Sequence, residues 1–109
     1  MDIKKVADDF SVSAQISAGD VAAIGQLGFR AIICNRPDDE ATDQPSFAEI
    51  ETAAKRADIA AAYIPVTPGA ITEEIVAAFG DAIRSLPHPV LAYCRSGARS
   101  SMLWSMLQD

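Results

Sequence analysis

Residues 89–100 read Pro-Val-Leu-Ala-Tyr-Cys-Arg-Ser-Gly-Ala-Arg-Ser, and they indicate both how the chain folds and where it reacts. The first five residues suit a buried parallel strand, and the apolar spacing over 100–107 predicts a helix. Cys94 therefore stands on a tight turn between a strand and a helix. The amides of such a turn point inward, and a helix N-terminus adds about half a positive charge. This setting favours the nucleophilic thiolate, because it lowers the thiol pKa from about 8.5.

The turn supplies candidate groups for binding and attacking a small anion. Cys94 is the candidate nucleophile. Arg99 follows five positions later, and its planar fork suits a tetrahedral oxyanion or a thiosulfate-like group. Gly97 allows the backbone to approach the anion closely, with a positive φ open to it. The other candidates are Arg95, which would bind the anionic donor, Ser96 and Ala98, which would provide N–H groups, and Ser100, whose hydroxyl would either reach the Cys94 sulfur or cap the helix.

Composition restricts the domain organisation and the class of partner. The 109 residues are enough for one compact domain, predicted to span 1–109, and the 50% apolar content is typical of a globular protein. The net charge of -6 argues against nucleic acid or an anionic membrane as a partner. A locally positive pocket in an acidic chain instead indicates a small anionic substrate.

Cysteine and histidine usage indicates the compartment and the cofactor requirement. Two cysteines, Cys34 and Cys94, are too few for the disulfide framework of a small secreted domain. The charged first ten residues do not resemble a signal peptide, and no apolar stretch is long enough to cross a bilayer. A cytoplasmic location is therefore expected. With one histidine and no Cys/His cluster, we expect neither a metal site nor a cofactor.

Strand-like and helix-like segments alternate along the chain, which predicts an α/β fold with a parallel sheet covered on both faces. The predicted strands are 3–6, 10–14, 30–34, 60–66 and 89–93, and the predicted helices are 17–27, 46–57, 73–85 and 100–107. Ligands of such sheets bind beyond the carboxyl ends of the strands. Asn35, Arg36, residues 67–70 and the Cys94 turn should therefore share one crevice, where Asn35 and Arg36 would either contact substrate or brace the turn.

Several segments carry a resemblance that covers nearly the whole chain, namely 93–100, 10–15, 34–38 and 63–66. Together they resemble the phosphatase-like domain of the β-lactamase-hydrolase-like proteins, a family with sulfurtransferase members that is related to dual-specificity protein phosphatases and rhodaneses. The resemblance implies a three-layer α/β/α fold of the phosphotyrosine-phosphatase type. Its central sheet would be mainly parallel, with four to five strands and the Cys94 strand in the middle.

Two departures from the phosphatase pattern bear on the reaction. Tyrosine and dual-specificity phosphatases place the arginine six positions after the cysteine and usually have a histidine just before the cysteine. Here Arg99 lies five positions after Cys94, and Tyr93 is the residue before the cysteine. The shorter ring is the size found in rhodaneses, which hold a persulfide. Those phosphatases also supply an aspartic acid from the loop that corresponds to 67–72, which here contains no acid. Glu73 and Glu74 follow at a helix start, where they complement the helix dipole.

These departures lead to a first hypothesis and two alternatives. The first is a sulfurtransferase that forms a Cys94 persulfide from thiosulfate or a low-molecular-weight persulfide, a reaction that needs no general acid. It would fit a fusion or partnership with a sulfide-oxidising enzyme. The alternative is a small phosphatase that uses Cys94 and Arg99 through a phosphocysteine and hydrolyses a phosphoester. The second alternative is a non-enzymatic module that binds an anion or a persulfide.

Overall fold

The computed structural model describes residues 1–108 and contains five strands and four α-helices among them. The strands are β1 (Ile3–Ala7), β2 (Phe10–Ser13), β3 (Ala31–Cys34), β4 (Ala60–Tyr63) and β5 (Val90–Tyr93). The helices are α1 (Val21–Gln26), α2 (Phe47–Arg56), α3 (Glu73–Ser85) and α4 (Ala98–Leu107), with a 3-10 turn at Ala18–Asp20. No helix within residues 1–108 combines the length and apolar character needed to span a membrane.

The strands form one sheet in the order β1-β2-β5-β3-β4. β1 pairs with β2 in antiparallel fashion, whereas the β2–β5, β5–β3 and β3–β4 pairs are all parallel. In register, Tyr93 at the end of β5 lies between Ser13 of β2 and Cys34 of β3. The prediction of a mainly parallel sheet with the Cys94 strand in the middle is confirmed.

Both faces of the sheet are covered by helices, which confirms the three-layer architecture. One core joins α1 and α2 to the sheet and includes Leu91 and Tyr93, whereas the other joins α3 and α4 to the sheet and includes Val90 and Ala92. β5 is apolar and buried throughout. Because successive side chains of a strand point to opposite faces of the sheet, its side chains pack into both cores. The strand that carries Cys94 is therefore packed between two neighbouring strands, β2 and β3, and between two layers of helices.

Helix starts follow the capping residues in the sequence, and three boundaries differ from the prediction by two residues or more. The predicted helix 17–27 is a 3-10 turn at Ala18–Asp20 followed by α1 from Val21. Ser46 and Thr72 accept hydrogen bonds from the third residue of their helices, as Ncap residues do. The fourth strand ends at Tyr63 rather than at 66, although the N–H groups of Ile64 and Val66 still donate to the carbonyls of Cys34 and Asn35. The last helix begins at 98 rather than 100, because Gly97 turns the chain into it at φ 94°.

Candidate active site

Cys94 lies at the carboxyl end of the sheet, where four parallel strands end side by side. Its own N–H donates to the carbonyl of Ser13, the last residue of β2 (3.4 Å), and the N–H of Asn35 after β3 donates to the carbonyl of Tyr93 (2.8 Å). The N–H of Val66 in turn donates to the carbonyl of Asn35 (2.9 Å). These ladder bonds bring the ends of β2, β3, β4 and β5 to the crevice that the alternating pattern predicted.

The Cys94 sulfur lies within a ring of main-chain amides. Burial raises the pKa of this thiol, but hydrogen bonds from four backbone N–H groups outweigh the burial, so that the thiol pKa is lowered. The nitrogen of Gly97 lies 3.1 Å from the sulfur, to which its N–H donates. The residue is only 1% exposed, so the sulfur lies at the base of the ring. The four N–H groups belong to Ser96, Gly97, Arg99 and Ser100.

Gly97 sets the shape of the ring. Its φ of 94° is in the left-handed region, and a Cβ there would lie 3.4 Å from both the carbonyl carbon and oxygen of Ser13. The turn also directs the N–H of Ala98 away from the sulfur, to the hydroxyl oxygen of Ser96 at 3.3 Å. The expectation that Ala98 adds an N–H to the ring is therefore corrected, because Ser96 engages that donor.

The Ser100 hydroxyl braces the ring instead of reaching the sulfur. It donates to Oδ1 of Asn35 at 2.8 Å, and the Asn35 amide donates to the carbonyl of Ile64 at 2.9 Å. Ser100 and Asn35 are both fully buried. The side chain of Asn35 thus ties the start of α4 to the end of β4, and of its two predicted roles the structure favours the brace. The hydroxyl contact to Cys94 expected for Ser100 is not formed, although its N–H faces the sulfur.

We expect Ser100→Ala to lower the free energy of unfolding by about 1–3 kcal/mol, because it leaves the buried Oδ1 of Asn35 without a donor. Urea unfolding would measure this loss. Ser105→Ala is a matched control on the exposed side of the same helix, and it should change the stability by less than about 0.5 kcal/mol. Equal effects of the two substitutions would contradict the bracing role.

Arg99 reaches back from the first turn of α4 over the ring. Its Nη1 donates to Oε2 of Glu40 (2.7 Å) and to the carbonyl of Val66 (2.7 Å), and its Nη2 donates to Oε1 of Glu40 (2.9 Å). The side chain is 12% exposed. The Glu40 hydrogen bonds raise the pKa of Arg99 most, and the Cys94 thiolate also contributes to the increase. The guanidinium is therefore a fixed positive charge between Glu40 and the sulfur.

Arg36 and Glu40 form the second layer of the site. The Arg36 Nε donates to Oε1 of Glu40 at 3.0 Å, and its Nη1 donates to Oε1 of Gln15 at 3.1 Å. Arg36 is 6% exposed, so it braces Glu40 more than it faces solvent. Sequence reasoning missed Glu40, although its loop follows β3, whose end was predicted to line the crevice. That position was the signal that could have identified it.

The remaining predicted residues are placed at the edge of the crevice. Arg95 is exposed, and its carbonyl accepts from the N–H of Gln15 (3.3 Å). Residues 67–70 form an exposed turn, and it is the preceding Val66 whose carbonyl contacts Arg99. Arg95 is thus exposed to solvent, whereas the side chain of Arg99 is already oriented by Glu40 and Val66.

Other titratable residues have structural surroundings. Cys34 packs in the core beside α1 and α2 with its thiol donating to the carbonyl of Arg36 (3.2 Å), and burial raises its pKa. Burial likewise raises the pKa of Tyr93, whose phenol is neutral. His88 precedes β5, at the opposite end of the strand from Cys94, and contacts Asp9. Within residues 1–108, no cluster of three or more His, Cys, Asp or Glu side chains is arranged to hold a metal ion.

The two thiols should titrate separately. Cys94 should ionise below the usual range of about 8.5, whereas Cys34 should ionise above it. Ultraviolet absorbance of the thiolate, which needs no reagent to enter the ring, would record two steps as pH rises. The lower step should disappear in Cys94→Ser and persist in Cys34→Ser. A lower step that survives in Cys94→Ser would contradict the amide ring.

A thiol at the end of a central parallel strand, ringed by amides and followed by an arginine, defines the phosphatase-like class of cysteine-dependent enzymes. The family profile of the β-lactamase hydrolase-like protein, phosphatase-like domain, matches residues 2–109. The chain belongs to this family. A β-lactamase hydrolase-like protein of Xylella fastidiosa is 34% identical over 106 residues, which are 97% of this chain and 25% of that protein. The chain thus spans about a quarter of the length of the curated relatives that it matches.

Solved structures share the fold over almost the whole chain. A candidate phosphatase from Neisseria meningitidis superposes with a TM-score of 0.91 at 39% identity, covering 99% of this chain and 77% of that one. The core catalytic domain of the PP-IP phosphatase Siw14 from Saccharomyces cerevisiae gives a TM-score of 0.76 at 14% identity, covering 97% and 64%. The second likeness concerns the fold alone.

Proposed function

We propose that this domain is a cysteine-dependent phosphatase that uses Cys94 as nucleophile and Arg99 to hold the phosphoryl group. The observation that carries this function is the ring of amide donors around a thiol of lowered pKa, with the guanidinium beside it. The 39% identical structure of a candidate phosphatase favours hydrolysis over the sulfurtransferase that the sequence placed first. The sequence of the ring itself is compatible with either reaction.

The reaction would proceed in two displacements at phosphorus. The Cys94 thiolate attacks the phosphorus, the S–P bond forms, and the P–O bond to the leaving group breaks. Water then attacks the phosphocysteine, releasing phosphate and returning the thiolate. Ring amides and Arg99 would stabilise the negative charge on the equatorial oxygens during both steps.

Within residues 1–108, the site shows no residue suited to protonate the leaving group. Loop 67–72 contains no acid, and Glu73 is exposed at the start of α3. The Arg99 hydrogen bonds, reinforced by Arg36, lower the pKa of Glu40, so this carboxylate is ionised near neutral pH. Because general acid catalysis contributes roughly 10²–10⁴-fold, we propose substrates whose leaving groups need no proton, such as aryl phosphates, acyl phosphates or phosphoanhydrides.

Sulfane sulfur transfer is the second candidate, favoured by the short spacing from Cys94 to Arg99. The thiolate would attack the outer sulfur of thiosulfate, the S–S bond would break, and sulfite would leave with the electron pair. An acceptor thiolate or cyanide would then remove the terminal sulfur and restore Cys94. In this case a partner enzyme that oxidises sulfide would supply or consume the persulfide.

One experiment separates the two reactions. The purified protein is incubated with p-nitrophenyl phosphate, with an alkyl phosphate, and with thiosulfate plus cyanide, while product release and the intact mass are followed. The proposed function predicts hydrolysis of the aryl ester, roughly 10²-fold or more faster than the alkyl ester, and a trapped phosphoryl adduct on Cys94.

The other outcomes overturn the proposal in different ways. Thiocyanate release with the added mass of one sulfur atom, and no ester hydrolysis, would replace the phosphatase by the sulfurtransferase. Binding of phosphate or thiosulfate without any turnover would leave only an anion-binding module. Hydrolysis that survives in Cys94→Ser would show that the thiol is not the nucleophile.

A further inference from the structure

Glu40 occupies one edge of the Arg99 guanidinium and leaves another free. A guanidinium has five N–H donors in a planar fork. Both hydrogens of Nη1 are engaged, by Glu40 and by the carbonyl of Val66, and one hydrogen of Nη2 is engaged by Glu40. Within residues 1–108, the Nε–H and the second hydrogen of Nη2 donate to no carboxylate or carbonyl oxygen, and these two lie on a common edge. That edge has the spacing for two parallel hydrogen bonds to one oxyanion group.

Glu40 is in turn fixed by residues from other parts of the sheet. Arg36, on the loop after β3, donates to the same Oε1 that Arg99 contacts, and Gln15, after β2, accepts from Arg36. The Glu40 side chain is 21% exposed, and that of Arg36 is 7% exposed. The loop that carries Glu40 is closed by Gln44, whose amide donates to the carbonyl of Pro37 (2.9 Å).

We propose that Glu40 is a positioning residue, which holds the terminal edge of Arg99 so that the opposite edge faces the anion above Cys94. Arg36 and Gln15 hold Glu40 in the orientation that this requires. The proposal rests on the assigned role of Arg99 as the anion-binding arginine, and it applies equally to phosphoryl and sulfur transfer.

The arrangement has two effects that act in opposite directions. Glu40 removes orientational freedom from Arg99, which favours the transition state, because small displacements of a positioned group reduce rate sharply. Its negative charge also offsets part of the positive charge that Arg99 and Arg36 present to the Cys94 thiolate. Loss of the Glu40 charge should therefore slow the reaction while it lowers the thiol pKa further.

Glu40→Gln tests this inference, because glutamine keeps the shape of the side chain and removes the charge. We expect kcat to fall by about 10- to 100-fold. The dissociation constant of inorganic phosphate should stay the same or decrease, since Arg99 and Arg36 keep their charges. The absorbance titration should show the Cys94 thiol ionising at a lower pH than in the unsubstituted protein.

Two further variants separate charge from geometry. Glu40→Asp keeps the charge but is one methylene shorter, so we expect a reduced kcat with a thiol pKa close to that of the unsubstituted protein. Asp43→Asn is the matched control, since Asp43 is exposed in the same loop and its side chain forms no hydrogen bond within residues 1–108. It should leave kcat and the thiol pKa unchanged.

Three results would overturn the positioning role. One is a kcat for Glu40→Gln equal to that of Asp43→Asn. Another is a lowered kcat with an unchanged thiol pKa and a matching loss of folded protein, which would indicate only a structural contact. The third is weakened phosphate binding in Glu40→Gln. If the protein hydrolyses no ester and transfers no sulfur, the proposed function fails, but phosphate binding and the thiol titration still decide the role of Glu40.

Discussion

Cys94→Ser is expected to lower kcat for aryl phosphate hydrolysis by roughly 10⁴- to 10⁶-fold, the range measured when a nucleophile is removed from an enzyme. The amide ring stabilises a thiolate, but a serine hydroxyl has a far higher pKa and stays protonated there. The remaining rate would come from the anion-binding groups alone. Initial-rate kinetics over a range of ester concentrations would measure the change, with circular dichroism to confirm that the variant is folded.

Cys34→Ser is the matched control for this prediction. It makes the same substitution in the neighbouring strand, and a serine there can keep the hydrogen bond to the carbonyl of Arg36. Its kcat should stay within about twofold of the unsubstituted value, as expected for a residue that does not contact substrate. If Cys34→Ser were the inactive variant and Cys94→Ser the active one, the site would have been assigned to the wrong thiol.

Arg99→Ala should have the second largest effect, a loss of about 10²–10³-fold in kcat/KM, which is typical of removing one preorganised donor of an oxyanion site. Arg99→Lys should recover little of this loss, because an ammonium group keeps the charge but cannot replace the planar fork. Steady-state kinetics of the same ester would measure both variants.

Two other arginines provide the comparison. Arg95 is exposed and follows Cys94 directly in the chain, so we expect Arg95→Ala to raise KM more than it lowers kcat. It should reduce kcat/KM much less than Arg99→Ala does. Arg36→Ala should reduce activity less than Arg99→Ala, because Glu40 would still contact Arg99. Equal losses for Arg36→Ala and Arg99→Ala would mean that the anion binds elsewhere in the crevice.

The sequence predicted the elements that depend on local pattern. Ser46 and Thr72 are capping residues just before amphipathic helices, and both cap them in the structure. Continuous apolar runs such as 90–93 indicate strands buried on both faces, and strand ends in parallel sheets meet at one edge. Cys94, Arg99, Asn35 and Arg36 could therefore be placed in one crevice. The central place of β5 came from the family resemblance, since local pattern does not fix strand order.

The details that were missed depend on contacts between distant segments. Glu40 and Arg99 are 59 residues apart in sequence, and the loop between β3 and α2 has no periodicity from which its path could be inferred. Whether the Ser100 hydroxyl faces Cys94 or Asn35 depends on a rotamer, and which amides face the sulfur depends on how Gly97 turns the chain. A sequence gives the residue types present at such a place, but not their partners.

Tyr93 stands where related phosphatases usually have a histidine, and this has a consequence for how the enzyme would respond to acidity. Its phenol stays neutral, Glu40 stays ionised and His88 is at the far end of the sheet. Within residues 1–108, that leaves Cys94, whose pKa the backbone N–H groups lower, as the group of the ring whose protonation would control the rate. For a substrate that does not itself ionise in the pH range tested, kcat/KM should rise with pH as this one group loses its proton and then reach a plateau. It should not follow a bell-shaped profile. Such an enzyme would keep its nucleophile as the thiolate throughout mildly alkaline conditions. Its rate there would depend on the concentration of substrate and not on pH.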